Sequence, residues 1–136
     1  MIYRGTNQSE KLNKLSNKAV IEERSTREYK LCVKAHALRL RKEYELSAYT
    51  YLDVLETDKN NIDALKGAAY CYSKMHNFDE AIKYYDRLRK VNPFDKKVYY
   101  ELGICEFSRQ NFYEAIKYFI KAIKLHPEYY DAIFAL

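Results

Sequence analysis

Apolar residues in this chain return at helical spacing, and they do so in paired stripes. Leu65, Ala68, Ala69 and Tyr72 stand at i, i+3, i+4 and i+7, one face of a 3.6-residue helix. After a short polar break a second face follows at Ala81, Ile82, Tyr85 and Leu88. The pattern then recurs: "AIKYYDRL" begins at Ala81 and "AIKYFIKA" at Ala115, 34 residues later, where Ala115, Ile116, Phe119, Ala122 and Ile123 form an inner stripe of the same kind. The same step joins Ala35 to Ala69 to Gly103, Ser47 to Ala81 to Ala115, Tyr51 to Tyr85 to Phe119, and Lys59 to Pro93 to Pro127. A fixed period of this length predicts stacked copies of one supersecondary unit, here two antiparallel amphipathic helices.

Start and stop signals keep the same time. Asn77 with Glu80, and Asn111 with Glu114, each place a capping side chain three residues before a glutamate, the arrangement that satisfies the first free amides of a helix. Pro93 and Pro127 cannot continue the helices before them, and they bias Asn92 and His126 away from helical geometry. The units run over residues 28–61, 62–95 and 96–129, so the repeat domain spans 28–136. Residues 1–27 fall outside the register, with Leu12, Leu15 and Ala19 as their one helical stripe; they are predicted to be a flexible arm or a short leading helix, with Ile21 joining that stripe if it caps the first unit. Residues 130–136 restart a first helix at Tyr130, Ile133 and Phe134. A solenoid closes on a polar cap, and this segment is apolar, so the chain is expected to be a piece of a longer array or to be covered there by another molecule, including a second copy.

Smallness explains the period. Ala69 and Gly103 in first helices, and Ala81 and Ala115 in second helices, let backbones approach where a larger side chain would pry the pair apart at a cost of ~1–3 kcal/mol. Together these positions resemble the tetratricopeptide repeat family, whose pattern of an aromatic, Leu-Gly, an aromatic, Ala, an aromatic and Pro is met by Tyr99, Leu102, Gly103, Ala115, Phe119 and Pro127. The middle unit matches at Ala69, Tyr72, Ala81, Tyr85 and Pro93, with Leu65 for the first aromatic; Glu106 replaces an aromatic in the third, with Phe107 beside it expected to take over the packing. The first unit keeps the spacing at Ala35, Leu38, Ser47 and Tyr51 but loses the proline to Lys59. The resemblance implies an all-α fold, a right-handed superhelical array of antiparallel helix pairs: an α-solenoid of about three repeats plus the start of a fourth pair.

Composition fits this picture: three Gly and two Pro in 136 residues leave little material for tight β-turns. The net charge of +5 is mild, and +3 of it lies in residues 1–27, so the body is nearly balanced and nucleic acid is disfavoured as a partner. Cys32, Cys71 and Cys105 form no disulfide framework, and the N-terminus has no signal-peptide run, pointing to an intracellular protein, cytoplasmic or nuclear. Cys71 and Cys105, one period apart, read as small buried hydrophobes. His36, His76 and His126 fall at unrelated repeat positions, and no metal-ligand spacing or phosphate loop occurs. No enzyme, metal or cofactor is therefore expected.

Stacked helix pairs curve so that first helices line a concave groove. By helical position the groove candidates are Tyr29, His36, Lys66, Tyr70, Lys97, Tyr100, Ile104 and Phe107, flanked by Cys32, Val33, Arg39, Asp63, Ser73 and Glu101. Aromatics there suit the apolar side chains of an extended or helical peptide, and Lys66 and Lys97 suit an acidic one. The family's carboxylate clamp for chaperone tails implies Lys and Asn, then Asn, then Lys and Arg at positions held here by Cys32, His36, Gly67, Lys97 and Glu101. Only Lys97 fits, and starting one unit later also yields a single match, so a non-clamp type is expected. On the outward face, Lys83, Arg87 and Lys90 recur as Lys117, Lys121 and Lys124, a candidate basic ridge or an ordinary solvated face. The expected function is a non-catalytic protein–protein interaction module, a scaffold or subunit of a multiprotein assembly; the alternative is a stand-alone peptide-binding adaptor or co-chaperone.

Overall fold

A computed structural model describes residues 2–128, with side chains from residue 9 onward except that of Arg24. Six helices follow one another, α1 (Ile2–Leu40), α2 (Tyr44–Thr57), α3 (Ile62–Lys74), α4 (Phe78–Val91), α5 (Lys96–Ser108) and α6 (Phe112–Leu125), with no strand among the described residues. Each odd helix packs on the even helix after it, and α2 on α3 and α4 on α5 join the pairs into one stack. This is an α-solenoid of helix pairs. No helix of the described residues is long and apolar enough to cross a membrane.

The turns inside the pairs repeat as faithfully as the helices. Lys42, His76 and Gln110, each one period from the next, take positive φ of 63°, 59° and 66°. The following amides of Glu43, Asn77 and Asn111 donate to Leu38, Tyr72 and Glu106 carbonyls at 2.9, 2.9 and 2.8 Å, the six-to-one bond of a Schellman ending. A left-handed conformation without glycine is strained, so Gln110→Gly should raise stability by about 0.5 kcal/mol in urea unfolding; a loss would show the turn to be held by the glutamine side chain. Between the pairs, Asn92 and His126 end their helices in extended geometry ahead of proline. Asp58 ends α2 at φ −134° without one.

Helix starts divide. Asn61, Asn77 and Asp95 cap α3, α4 and α5 through their side chains. Asn111 does not cap α6: its Nδ2 instead donates to Glu106 at 2.9 Å. Glu106 is buried, and Arg109 meets its other oxygen at 3.1 Å while also reaching Asp79 on α4 at 3.1 Å. The glutamate that departs from the aromatic pattern is therefore packed in place by donors. Phe107 does not replace it, being 54% exposed.

The small residues lie at the contacts. Ala35, Ala69, Ala81 and Ala115 are buried, as is Ser47, whose hydroxyl donates to the Ala35 carbonyl at 2.7 Å. A Cβ on Gly103 would stand 2.5 Å from the Phe119 ring, and one on Gly67 would run into the Tyr51 ring. Ile116 departs from its expected place: it is 47% exposed, whereas its equivalent Ile82 packs on the core, because no described helix lies beyond α6.

The N-terminal residues also differ from expectation. Instead of an arm or short leading helix separated near residue 27, α1 runs unbroken for 39 residues. Residues 6–40 contain neither Gly nor Pro, so nothing interrupts the hydrogen-bond ladder. Arg27 pairs with Asp53 at 3.1 Å and Thr57 donates to Glu28 at 2.9 Å, which fastens α1 to α2 from that point on. The described side chains before it are exposed. Residues 130–136, expected to begin a further helix, lie outside the described residues.

Candidate functional site

The first helices α1, α3 and α5 carry two adjoining depressions that share Arg39 and Lys66. One, of about 400 Å³, lies between α1 and α3 and is lined by Tyr29, Cys32, His36, Tyr51 and Asp63 among others. Its neighbour, of about 310 Å³, lies between α3 and α5 and is lined by Tyr70, Tyr85, Asp95, Lys97, Val98 and Glu101. A broader hollow of about 660 Å³ on α1, around Glu23 and Arg27, belongs to a single helix and brings no groups together from different elements.

Five of the eight groove candidates, Tyr29, His36, Lys66, Tyr70 and Lys97, thus line one continuous trough. The other three do not. Tyr100 packs against Phe119 with ring centroids 5.9 Å apart, Phe107 meets Phe112 at 5.2 Å, and Ile104 is half-buried beside them. They form a shelf, since no described helix stands on their far side. Tyr85, Asp95 and Val98, which lie outside the groove candidates, also line the second depression. Tyr85 belongs to the inner stripe of α4, and its side chain also lines the groove. Asp95 carried a readable signal, being the N-cap of α5 in register with Asn61.

The trough is mixed in charge and largely self-paired. Lys66 meets Asp95 at 3.8 Å. Arg39 contacts His36 Nδ1 at 2.7 Å and lies over the Tyr70 ring at 4.9 Å, with Lys74 also over that ring at 5.4 Å. Burial lifts the Glu101 carboxyl above its ordinary range against the pull of Lys97 and Lys74. Burial, aided by Glu101, likewise raises the Tyr85 phenol. The clamp-equivalent positions disperse: Lys97 and Glu101 share the second depression, Cys32 and His36 the first, and Gly67 backs onto Tyr51.

Five of the six outward cations have a local contact. Lys83 pairs with Glu80 at 3.9 Å, Arg87 donates to the Lys59 carbonyl at 2.6 Å, Lys90 pairs with Asp86 at 3.5 Å and Lys117 with Glu114 at 3.4 Å. Lys121 stands 6.0 Å from the Tyr99 ring, and Lys124 closes the row near the end of α6. Such a face is a series of local pairs rather than a uniform strip of positive charge. Burial raises the Cys71 thiol and pushes that of Cys105 up to about 12, leaving neither as a ready thiolate.

Residues 67–130 match the model of the tetratricopeptide repeat family. No curated protein matches the chain by sequence. Solved structures do match by fold. The first TPR of Spaghetti (RPAP3) bound to HSP90 peptide SRMEEVD is 21% identical with a TM-score of 0.76, over 82% of this chain and 88% of that one. The first TPR domain of human RPAP3 is 21% identical at 0.73, over 81% and 87%. The Sgt2 TPR domain from Aspergillus fumigatus is 24% identical at 0.68, over 74% and 67%. The matching family is not a catalytic one. Residues 67–130 are thus matched as tetratricopeptide repeats, and the helix pair α1–α2 stacks on them in the same register.

Proposed function

We propose that this chain is a non-catalytic protein-interaction module that holds an extended segment of a partner in the trough across α1, α3 and α5, as a scaffold or subunit of a larger assembly. The observation that carries the reading is the continuity of the two depressions through Arg39 and Lys66. A trough of that form offers rings and side-chain stems for apolar contact, with charged groups at intervals to set register. The RPAP3 domain, alike in fold, is a peptide-bound case. The chain is not proposed as a binder of chaperone tails through the two-carboxylate clamp, because Glu101 stands where that clamp needs a cation.

A photo-reactive amino acid placed at Tyr70 should cross-link to a partner in extracts of the source cells, and one placed at Lys83 on the outward face should not. Equal labelling from both positions, or none from Tyr70, would overturn the groove reading.

The assembly half of the proposal is supported by α6. Tyr113, Ile116 and Ile120 are 73%, 47% and 41% exposed, where α4 has Asp79, Ile82 and Asp86 in the same register, with Asp79 paired to Arg109 of the next repeat. An apolar end face of this kind favours association. Light scattering should find the isolated chain self-associating at tens of micromolar, on the order of that typical for weak interfaces, and Ile116→Lys with Ile120→Lys should return it to monomer. A wild-type monomer would favour the stand-alone adaptor.

A further inference from the structure

The depression between α3 and α5 holds one acid that its neighbours leave unmatched. Asp95 meets Lys66 at 3.8 Å and accepts the Lys97 amide at 3.0 Å. Arg39 and Lys74 are drawn to the Tyr70 ring. Glu101, half-buried, has no ion pair within 4.0 Å and no hydrogen bond among the described residues, and its carboxyl opens on the depression beside Tyr85. Lys97, one turn earlier on the same helix, acts on it only at a distance.

Resting on the groove reading above, we propose that this depression receives a basic side chain of the partner, lysine or arginine, with its cationic head against the Glu101 carboxylate. A carboxylate brought here would face Glu101, which Lys97 and Lys74 offset only at a distance, in a partly dehydrated pocket where repulsion is poorly screened. An amide or hydroxyl could donate to Glu101, but a charge-assisted bond is about twice as strong. The aliphatic stem of a basic residue also has somewhere to lie, because Tyr70, Tyr85 and Val98 supply apolar walls. The volume of about 310 Å³ admits one long side chain. The groove thereby selects the charge opposite to the one that Lys66 and Lys97 alone suggest.

The test is selection from a randomised seven-residue peptide library on the wild-type chain, on Glu101→Gln and on Tyr70→Ala. Burial already favours the uncharged form of Glu101, so the glutamine variant is expected to keep its fold, checked by circular dichroism. Wild type should enrich Lys or Arg at one position, Glu101→Gln should lose that preference, and a selected peptide should bind the variant about tenfold more weakly, the loss of one charge-assisted contact. Enrichment of Asp or Glu, or a basic preference that survives Glu101→Gln, would overturn the proposal. Binders that vanish with Tyr70→Ala but carry no basic preference would sink it while leaving the groove reading intact; an empty selection would sink both.

Discussion

Gly103→Val is expected to cost about 3 kcal/mol of unfolding free energy, the upper part of the range for overpacking a well-filled core. Even a bare Cβ there would stand 2.5 Å from Cε1 of Phe119, which is itself buried and packed against Tyr100. The ring cannot swing to solvent without opening the α5–α6 contact, so the added methyls have to separate the two helices. Thermal unfolding should fall by roughly 10 °C for a chain of this size. Gly103→Ala should fall by less, because alanine adds one methyl where valine adds three carbons, and repeat two holds Ala69 at the same register. A valine variant with unchanged melting would mean that the close approach of these helices is not what sets their register.

The second large effect is expected at Arg109. It reaches Glu106 at 3.1 Å on its own helix and Asp79 at 3.1 Å on α4, so it ties the second repeat to the third. Arg109→Met should cost about 2 kcal/mol, discounted from the 3–5 kcal/mol of a fully buried pair because the arginine and Asp79 are partly solvated. Most of that cost comes from leaving Glu106 buried with Asn111 as its remaining donor. The fold itself suggests the repair. One period earlier Tyr72 stacks on Tyr84 with centroids 5.7 Å apart and planes 7° from parallel, and Tyr118 on α6 is the register equivalent of Tyr84. Glu106→Tyr in the Arg109→Met background should therefore recover most of the loss by stacking on Tyr118. If urea midpoints show the double variant no better than the single one, the cost lies in the Arg109–Asp79 contact between repeats and not in the stranded carboxylate.

These two cases also show where sequence reasoning reached and where it stopped. Gly103 was legible because closeness leaves a compositional trace: only the smallest residues survive at a helix crossing, and they recur at every crossing. Glu106 was visible as a departure, but its remedy was not, since Arg109 and Asn111 are satisfied by where the turn after α5 places them. The same dependence on surroundings explains Asn111, whose capping pattern is correct and whose side chain is taken by the buried acid instead. In the trough, the residues of α1 and α3 were found by helical position alone. Tyr85 and Asp95 were missed because they come from a second helix and a loop, and the pairing of Lys66 with Asp95 spans 29 positions of sequence.

By itself the sequence determined the helices, their 34-residue period and the small and aromatic positions that stack them, since each of these is written in spacing within one or two turns. The tertiary structure alone decided which charges in the trough are matched and that Ile116 meets solvent. Those outcomes depend on what stands beside a residue in space, and the neighbours that matter arrive from other repeats.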